Sequence, residues 1–260
     1  MEVVILPGRA EVARLASEAV VALLRRRPDA VLGLATGSSP LGVYDELARR
    51  HAAGEVSFSR SRAFLLDEYV GLPAGHPQSY RQVIARELEQ RVDFAPGAVQ
   101  GPDGRATDVR GACLSYERAI ADAGGVDLQV LGIGTDGHVA FNEPSSSLAS
   151  RTRIKTLTEQ TRKDNARFFD SAEEVPHHVL TQGLGTISEA RHVVLLATGP
   201  GKSSAVRDLV EGPVSASCPA SVLQLHPHAS VLLDEEAARD LALADYFRET
   251  YAGKPPWQGL

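Results

Sequence analysis

Two cysteines, Cys113 and Cys218, one methionine and one tryptophan are all that 260 residues hold of these types. The thiols stand far apart and in no metal or redox spacing, which argues against a disulfide framework and suits a reducing cytoplasm. Basic charge is also short: the formal net charge is −6. That balance argues against a nucleic-acid or membrane-surface binder, since both need a basic face, but a few local cations can still hold a small anion. No apolar run has the length of a membrane span, and no basic, apolar leader opens the chain. Internal repeats, low-complexity tracts and linkers are missing too. What is plentiful is apolar residue, 43% of the chain, enough for a core of one large domain or two small ones.

The apolar residues fall into short runs, each breaking into a turn and then a helical period. Residues 3–6, 31–35, 62–66, 128–133, 192–198 and 229–233 have the length and bounding of buried parallel strands. Between them, Val12, Leu15, Ala16, Ala19, Val20 and Leu23 recur at helical spacing, as do Val109, Ala112, Cys113, Tyr116 and Ile120. Repeated strand, loop and helix predicts an α/β fold: one doubly wound, mostly parallel sheet with helices on both faces, Rossmann-like in outline. The alternation lapses over about 145–185, so the simplest organisation is a single domain, 1–260, with an inserted lid there.

The most informative stretch is 128–144, LQVLGIGTDGHVAFNEP, an apolar strand that breaks into a glycine-rich loop. Gly132, Gly134 and Gly137 match the spacing of a dinucleotide-binding fingerprint, but Pro144 and the absence of a helical period deny the helix start on which a pyrophosphate would rest. What remains is His138 between Asp136 and Glu143, an imidazole that two carboxylates can hold in one tautomer and tune for proton transfer. The alternative is a satisfied structural histidine, and the residues alone leave both open. Asp67 and Glu68, at the end of the third strand, are a second acidic candidate, equally readable as surface acids opening a loop.

Two loops suit a phosphate. Thr36, Gly37, Ser38 and Ser39 sit at a strand-to-helix turn, where hydroxyls and N–H groups converge, although a capped helix start reads the same way. Lys202 follows a glycine loop at the start of a helix; its GKS lacks the upstream glycine of a nucleotide-hydrolase loop, which would fall at Leu196. The basic excursion Arg151, Arg153, Lys155, Arg162, Lys163 and Arg167 reads as an anion-binding flap or as a solvated surface. His177-His178 and His226-Pro-His228 have no third ligand at a recognised spacing, so metal is not expected.

Taken together, LGLATGSSPLGVY, FLLDEYVGL, GIGTDGHVAFNEPSSSLASRTRIKTL, ARFF and GPGK resemble the glucosamine-6-phosphate deaminases. The resemblance runs from the first strand to SVLQLHPHASVLLDEE, and it separates the chain from related phosphogluconolactonases, which share a loop like GTDGH without continuing into FNEP. It implies conversion of glucosamine 6-phosphate to fructose 6-phosphate and ammonia in amino sugar catabolism, with neither metal nor organic cofactor. By resemblance Asp67 takes the C2 proton, and His138, supported by Asp136 and Glu143, opens the sugar ring. Thr36, Gly37, Ser38, Ser39, Arg167 and Lys202 would hold the phosphate. Some oligomeric relatives bind N-acetylglucosamine 6-phosphate at an allosteric site, to which Ser147, Arg153 and Lys155 correspond; the C-terminal tail departs from those members. The expected partner is a small sugar phosphate, with a homo-oligomer admitted and neither nucleic acid nor membrane. The rivals are a sugar-phosphate sensor, which would need a DNA-binding module, and an isomerase or lactonase of the same fold.

Overall fold

The structure is a computed structural model that describes residues 1–169, 171–255 and 257–260, the side chains of residues 160, 164, 167 and 172 excepted. Its strands are β1 (Glu2–Leu6), β2 (Val31–Leu34), β3 (Arg62–Leu65), β4 (Asp67–Tyr69), β5 (Val99–Gln100), β6 (Leu128–Gly132), β7 (Arg153–Thr156), β8 (His178–Thr181), β9 (His192–Ala197) and β10 (Ala229–Asp234). The helices are α1 (Arg9–Arg26), α2 (Leu41–Ala52), α3 (Tyr80–Glu87), α4 (Val109–Asp122), α5 (Glu159–Asn165), α6 (Leu184–Ser188), α7 (Ser203–Val210), α8 (Glu235–Ala238) and α9 (Ala244–Ala252). Seven strands form one sheet in the order β1-β10-β9-β6-β2-β3-β5, parallel at every pairing.

The apolar runs explain this sheet directly. Successive side chains of a strand point to opposite faces, so a strand covered on both sides is apolar at nearly every position. Val31, Phe64, Val193, Leu195 and Val231 join one core layer, while Leu32, Leu65, Val194, Leu196 and Leu232 join the other. Tyr116 and Ile120 of α4, with Val206 and Leu209 of α7, close the first layer; Val12, Ala16 and Val20 of α1, with Val43, Tyr44 and Leu47 of α2, close the second. Each fully buried Leu or Val contributes about 1.5–3 kcal/mol relative to exposure. Among the described residues no helix is long and apolar enough to cross a membrane.

Two regions differ from the pattern read in the sequence. The third strand, read as 62–66, ends at Leu65, and Asp67–Tyr69, readable as the opening of a loop, form the separate strand β4. At Leu66 the chain changes sheets: the Leu66 N–H donates to Leu34 O (3.2 Å), while its carbonyl accepts from Gln182 N (2.7 Å). Beyond it β4 pairs with β8, and β8 with β7, both antiparallel. Residues 145–185, where regular structure lapses in the sequence, therefore supply two of the three strands of a second sheet, and α5 besides. Three- and four-residue strands with alternating or partial burial leave too little periodic signal to register.

In the large sheet β2 is followed by β3 on one side and flanked by β6 on the other, whose own chain continues away toward β9. The crevice at the carboxyl ends of β2 and β6 is thus the switch point at which open α/β sheets bind ligands.

Candidate active site

Three loops leave adjacent strand ends at that crevice: 36–39 after β2, 133–143 after β6, and 198–202 after β9. Asp67 stands two residues beyond the end of β3, the next strand along.

The loop after β6 is shaped by two glycines. A Cβ on Gly134 would lie 2.2 Å from the His138 ring, so only glycine lets the imidazole fold back over the loop. Gly137 has φ +83° and its missing Cβ would meet Cys218 Sγ at 2.6 Å. His138 Nδ1 lies 2.6 Å from Asp136 Oδ1, which also accepts from the His138 backbone N–H at 3.1 Å. These bonds hold the Asp136 carboxyl down at about 2. A carboxylate ionised at every working pH can only accept, so Nδ1 carries the hydrogen of this bond. Glu143 takes a different support: Thr161 Oγ1 of α5 donates to its Oε1 at 2.8 Å. Ala140 (φ 52°) and Ser145 (φ 73°) bracket the FNEP motif in the left-handed region, a backbone strain of order 1 kcal/mol each for residues other than glycine.

Asp67 and Glu68 are both buried, at 5% and 7% exposure. Burial first, and the neighbouring Glu68 charge second, push the Asp67 carboxyl up to about 8. Among the described residues no hydrogen-bond donor reaches it. Glu68 is raised by burial too, but three backbone N–H groups oppose the shift: Tyr69 (2.8 Å) and Tyr80 (3.0 Å) donate to Oε1, and Arg81 (2.9 Å) to Oε2. Two of those donors belong to the first turn of α3, so Glu68 works as a helix cap.

The remaining sequence candidates fall as follows. Thr36, Gly37, Ser38 and Ser39 lie between β2 and α2, with Gly37 at φ +97° and Ser39 side-chain atoms 3.8 Å from where a Cβ of Gly132 would stand. Lys202, half-buried, is the residue before α7. Its loop is tethered by Asp234, both of whose carboxylate oxygens accept from Gly199 N (2.9 Å) while Oδ1 also caps α8 at Ala237 N (2.8 Å). The Arg167 side chain lies outside the described residues. Arg153 and Lys155 share one face of β7, whereas Ser147 is exposed in the loop before it, its Oγ accepting from Ala149 N.

Asp136, His138 and Glu143 each offer a ligand atom within 4.8 Å of the others, close enough to converge on a cation. Of the sequence histidine pairs, His226 is buried with Nε2 against Ala190 O, and His228 stacks on His192 at 3.7 Å. A cleft of about 370 Å³ opens on the far side of Glu68, lined by Arg81, Gln100, Asp103 and Arg105, and reaches neither Asp67 nor His138. The candidate residues Asp67 and His138 lie instead along the strand ends. Sequence reading passed over Asn142, Thr161 and Gln182, whose roles are contacts across the chain; the serine-or-threonine spacing of Thr158 and Thr161, a helix start, was open to view, as was Asp234 at the start of α8.

A family model described as glucosamine-6-phosphate isomerases/6-phosphogluconolactonase matches residues 9–232. Over 260 residues, the whole of both chains, this chain is 69% identical to a glucosamine-6-phosphate deaminase of Arthrobacter sp. (strain FB24). It is 66% identical to one of Mycolicibacterium smegmatis, again over the full length of both. A solved monomeric glucosamine-6-phosphate deaminase superposes with a TM-score of 0.90 at 41% identity, covering 92% of this chain and 100% of that one. The 6-phosphogluconolactonase of Trypanosoma cruzi superposes at 0.75 with 22% identity, covering 93% and 97%, which speaks for the fold alone.

Proposed function

The chain belongs to the glucosamine-6-phosphate isomerase/6-phosphogluconolactonase family, and we propose that its strand-end carboxylates and His138 divide between them the deamination of glucosamine 6-phosphate. The reaction is aldose–ketose isomerisation with loss of ammonia, giving fructose 6-phosphate. The observation that carries the division of labour is the contrast between a buried Asp67, which no donor among the described residues reaches, and a part-exposed His138 whose Nδ1 is held by Asp136. In this reading Nε2 of His138 passes the proton between the anomeric hydroxyl and the ring oxygen, opening the pyranose. Asp67 then takes the proton from C2, leaving an enolamine. Return of a proton at C1 gives a ketose imine, and water hydrolyses it to ketose and ammonia. A carboxyl with no hydrogen-bond donor and a raised pKa is a stronger base once ionised than an exposed one. Glu143 assists His138 from the side held by Thr161.

Phosphate binding falls in this reading to residues 36–39, Lys202 and Arg167, which would offer hydroxyls, backbone N–H groups and two cations. The segment 145–185 serves as a lid on a single catalytic domain: Thr161 reaches Glu143, and Phe169 packs edge-on against Tyr69 at 5.6 Å. Ser147, Arg153 and Lys155 are retained as a proposed effector site, tested by adding N-acetylglucosamine 6-phosphate. Two free, buried cysteines accord with the proposed cytoplasmic location. Self-association is tested by sedimentation: a single species of 27.7 kDa would set this chain beside the monomeric relative, and a larger one would make it an oligomer.

The deciding experiment is to add glucosamine 6-phosphate and measure ammonia and fructose 6-phosphate. Both should appear in equal amounts. Hydrolysis of 6-phosphogluconolactone without ammonia release would overturn the reading in favour of the family's other reaction.

A further inference from the structure

Asn142 is wholly buried, at 0% exposure, on the loop between His138 and Glu143. Its Nδ2 donates twice, to Val139 O on its own loop (3.0 Å) and to Gln182 O beyond β8 (2.9 Å). Its Oδ1 is buried and has no partner. This fixes the orientation of the amide, because the flipped form would set an oxygen against two carbonyls and lose both bonds.

Gln182 carries the connection onward. Its backbone N–H donates to Leu66 O at 2.7 Å and its Nε2 to Leu65 O at 2.9 Å, so it grips the residues immediately before Asp67. One residue earlier, Thr181 pairs across the sheet with Asp67, and its Oγ1 accepts from Phe141 N at 3.2 Å. The Asn142 side chain, through Gln182, thus links the loop of His138 and Glu143 to the strand of Asp67, beside the bond from Phe141 N–H to Thr181. The loop has reason to need it: from 133 to 152 it contains no helix or strand, and the two left-handed residues flanking FNEP favour relaxation.

An unsatisfied buried oxygen costs about 1–3 kcal/mol, which an apolar side chain of the same size would avoid. The two donors are therefore what the position supplies. We infer that Asn142 is a positioning residue, the strap that holds the ring-opening group in register with the C2 base so that both act on one bound sugar. Asp67 is fixed independently by its strand, so loss of the strap releases only the His138 side. This inference rests on the assignment of ring opening to His138 and of C2 proton removal to Asp67.

The test compares two rates in the wild type, Asn142→Ala, Asn142→Ser and Ser146→Ala. The first is ammonia release from glucosamine 6-phosphate. The second is C2 proton exchange in D2O, followed by NMR, with an analogue lacking the C4 and C5 hydroxyls, which cannot cyclise. Ser146 is a buried neighbour outside the strap. A misplacement of the order of an ångström costs about 10²-fold in rate. Asn142→Ala should lose on the order of 10² in the first rate and less than threefold in the second, so the ratio of the two shifts about 30-fold or more. Asn142→Ser should shift it in the same direction, and Ser146→Ala should leave it unchanged. A purely structural role would lower both rates together through the fraction folded, so a ratio within threefold of wild type in both Asn142 variants overturns the inference. Should Asn142→Ala not fold, Asn142→Ser decides by the same ratio. Failure of the reaction assignment would be seen in the wild type, as no ammonia; failure of the strap is seen only in the variants' ratio.

Discussion

Asp67 and Glu68 are consecutive acids in opposite circumstances: Glu68 accepts three backbone N–H groups and caps α3, while no described donor reaches Asp67. Burial raises both, yet only the Asp67 carboxyl has no donor among the described residues to oppose the rise. The pair thus separates into an acid bound up in the fold and one that the proposed reaction can use.

Asp67→Asn should abolish C2 proton exchange while leaving sugar phosphate binding within a few-fold of wild type. It should also stabilise the fold. The Asp67 pKa in the folded chain, about 8, lies above its ordinary value of 3.8, so folding holds a proton that unfolding would release, and stability falls as pH rises between those values. Removing the group should raise Tm by roughly 2–8 °C, more at pH 8 than at pH 5. By the same logic, wild-type kcat/KM should climb with pH toward 8, as the base loses its proton. Calorimetry at both pH values and a pH–rate profile check this; an unchanged Tm difference across pH would show that Asp67 is not raised.

Glu68→Gln should do the reverse. An amide cannot accept at both ends, so the start of α3 loses a donor's partner and stability falls by about 1–2 kcal/mol. Ammonia release should drop less than tenfold, and the acid limb of the pH profile should move to lower pH because a negative neighbour of Asp67 is gone. Complete loss of exchange in this variant, with Asp67→Asn active, would reverse the assignment.

His138→Gln keeps bulk and some hydrogen bonding but cannot pass a proton. Turnover of pyranose glucosamine 6-phosphate should fall by about 10²–10⁴, the usual worth of general acid–base catalysis. C2 exchange with the analogue that cannot cyclise should stay near wild type. Asp136→Asn should give a milder form, since it sets the imidazole's tautomer without touching the proton in flight. Equal losses on both substrates would place His138 at C1 or C2 instead.

Lys202→Ala and Arg167→Ala should each raise KM for glucosamine 6-phosphate roughly 10- to 100-fold, as expected for loss of a charge-assisted bond worth about 1.5–3 kcal/mol. Residual activity on free glucosamine should hardly change, because that sugar never makes the contact. Steady-state kinetics on both sugars decides, and equal losses would remove the phosphate role.

Dialysis against a chelator should leave ammonia release unchanged, although Asp136, His138 and Glu143 stand close enough to capture an ion. The proton transfers described need an imidazole lone pair, which a bound cation would occupy. Loss of activity on chelation, restored by a divalent metal, would require a different mechanism.

The sequence by itself determined the large sheet. Strands buried on both faces are apolar at nearly every position, and that leaves near-continuous short runs, as in β6, β9 and β10, each bounded by turn residues. It also pointed to the loop after β6 as the candidate site, since a glycine loop at the end of such a run falls at the sheet's carboxyl edge, and Asp136 and His138 are close enough along the chain to meet in any fold. The resemblance to a family then chose Asp67 over Glu68. Only the tertiary structure supplied the physical ground for that choice, because the three N–H groups that engage Glu68 include two from α3, more than ten residues on. The second sheet was likewise a tertiary matter: β4, β7 and β8 are three or four residues long and take their burial from one another. So was Asn142, whose place depends on a backbone carbonyl forty residues distant that no local pattern encodes.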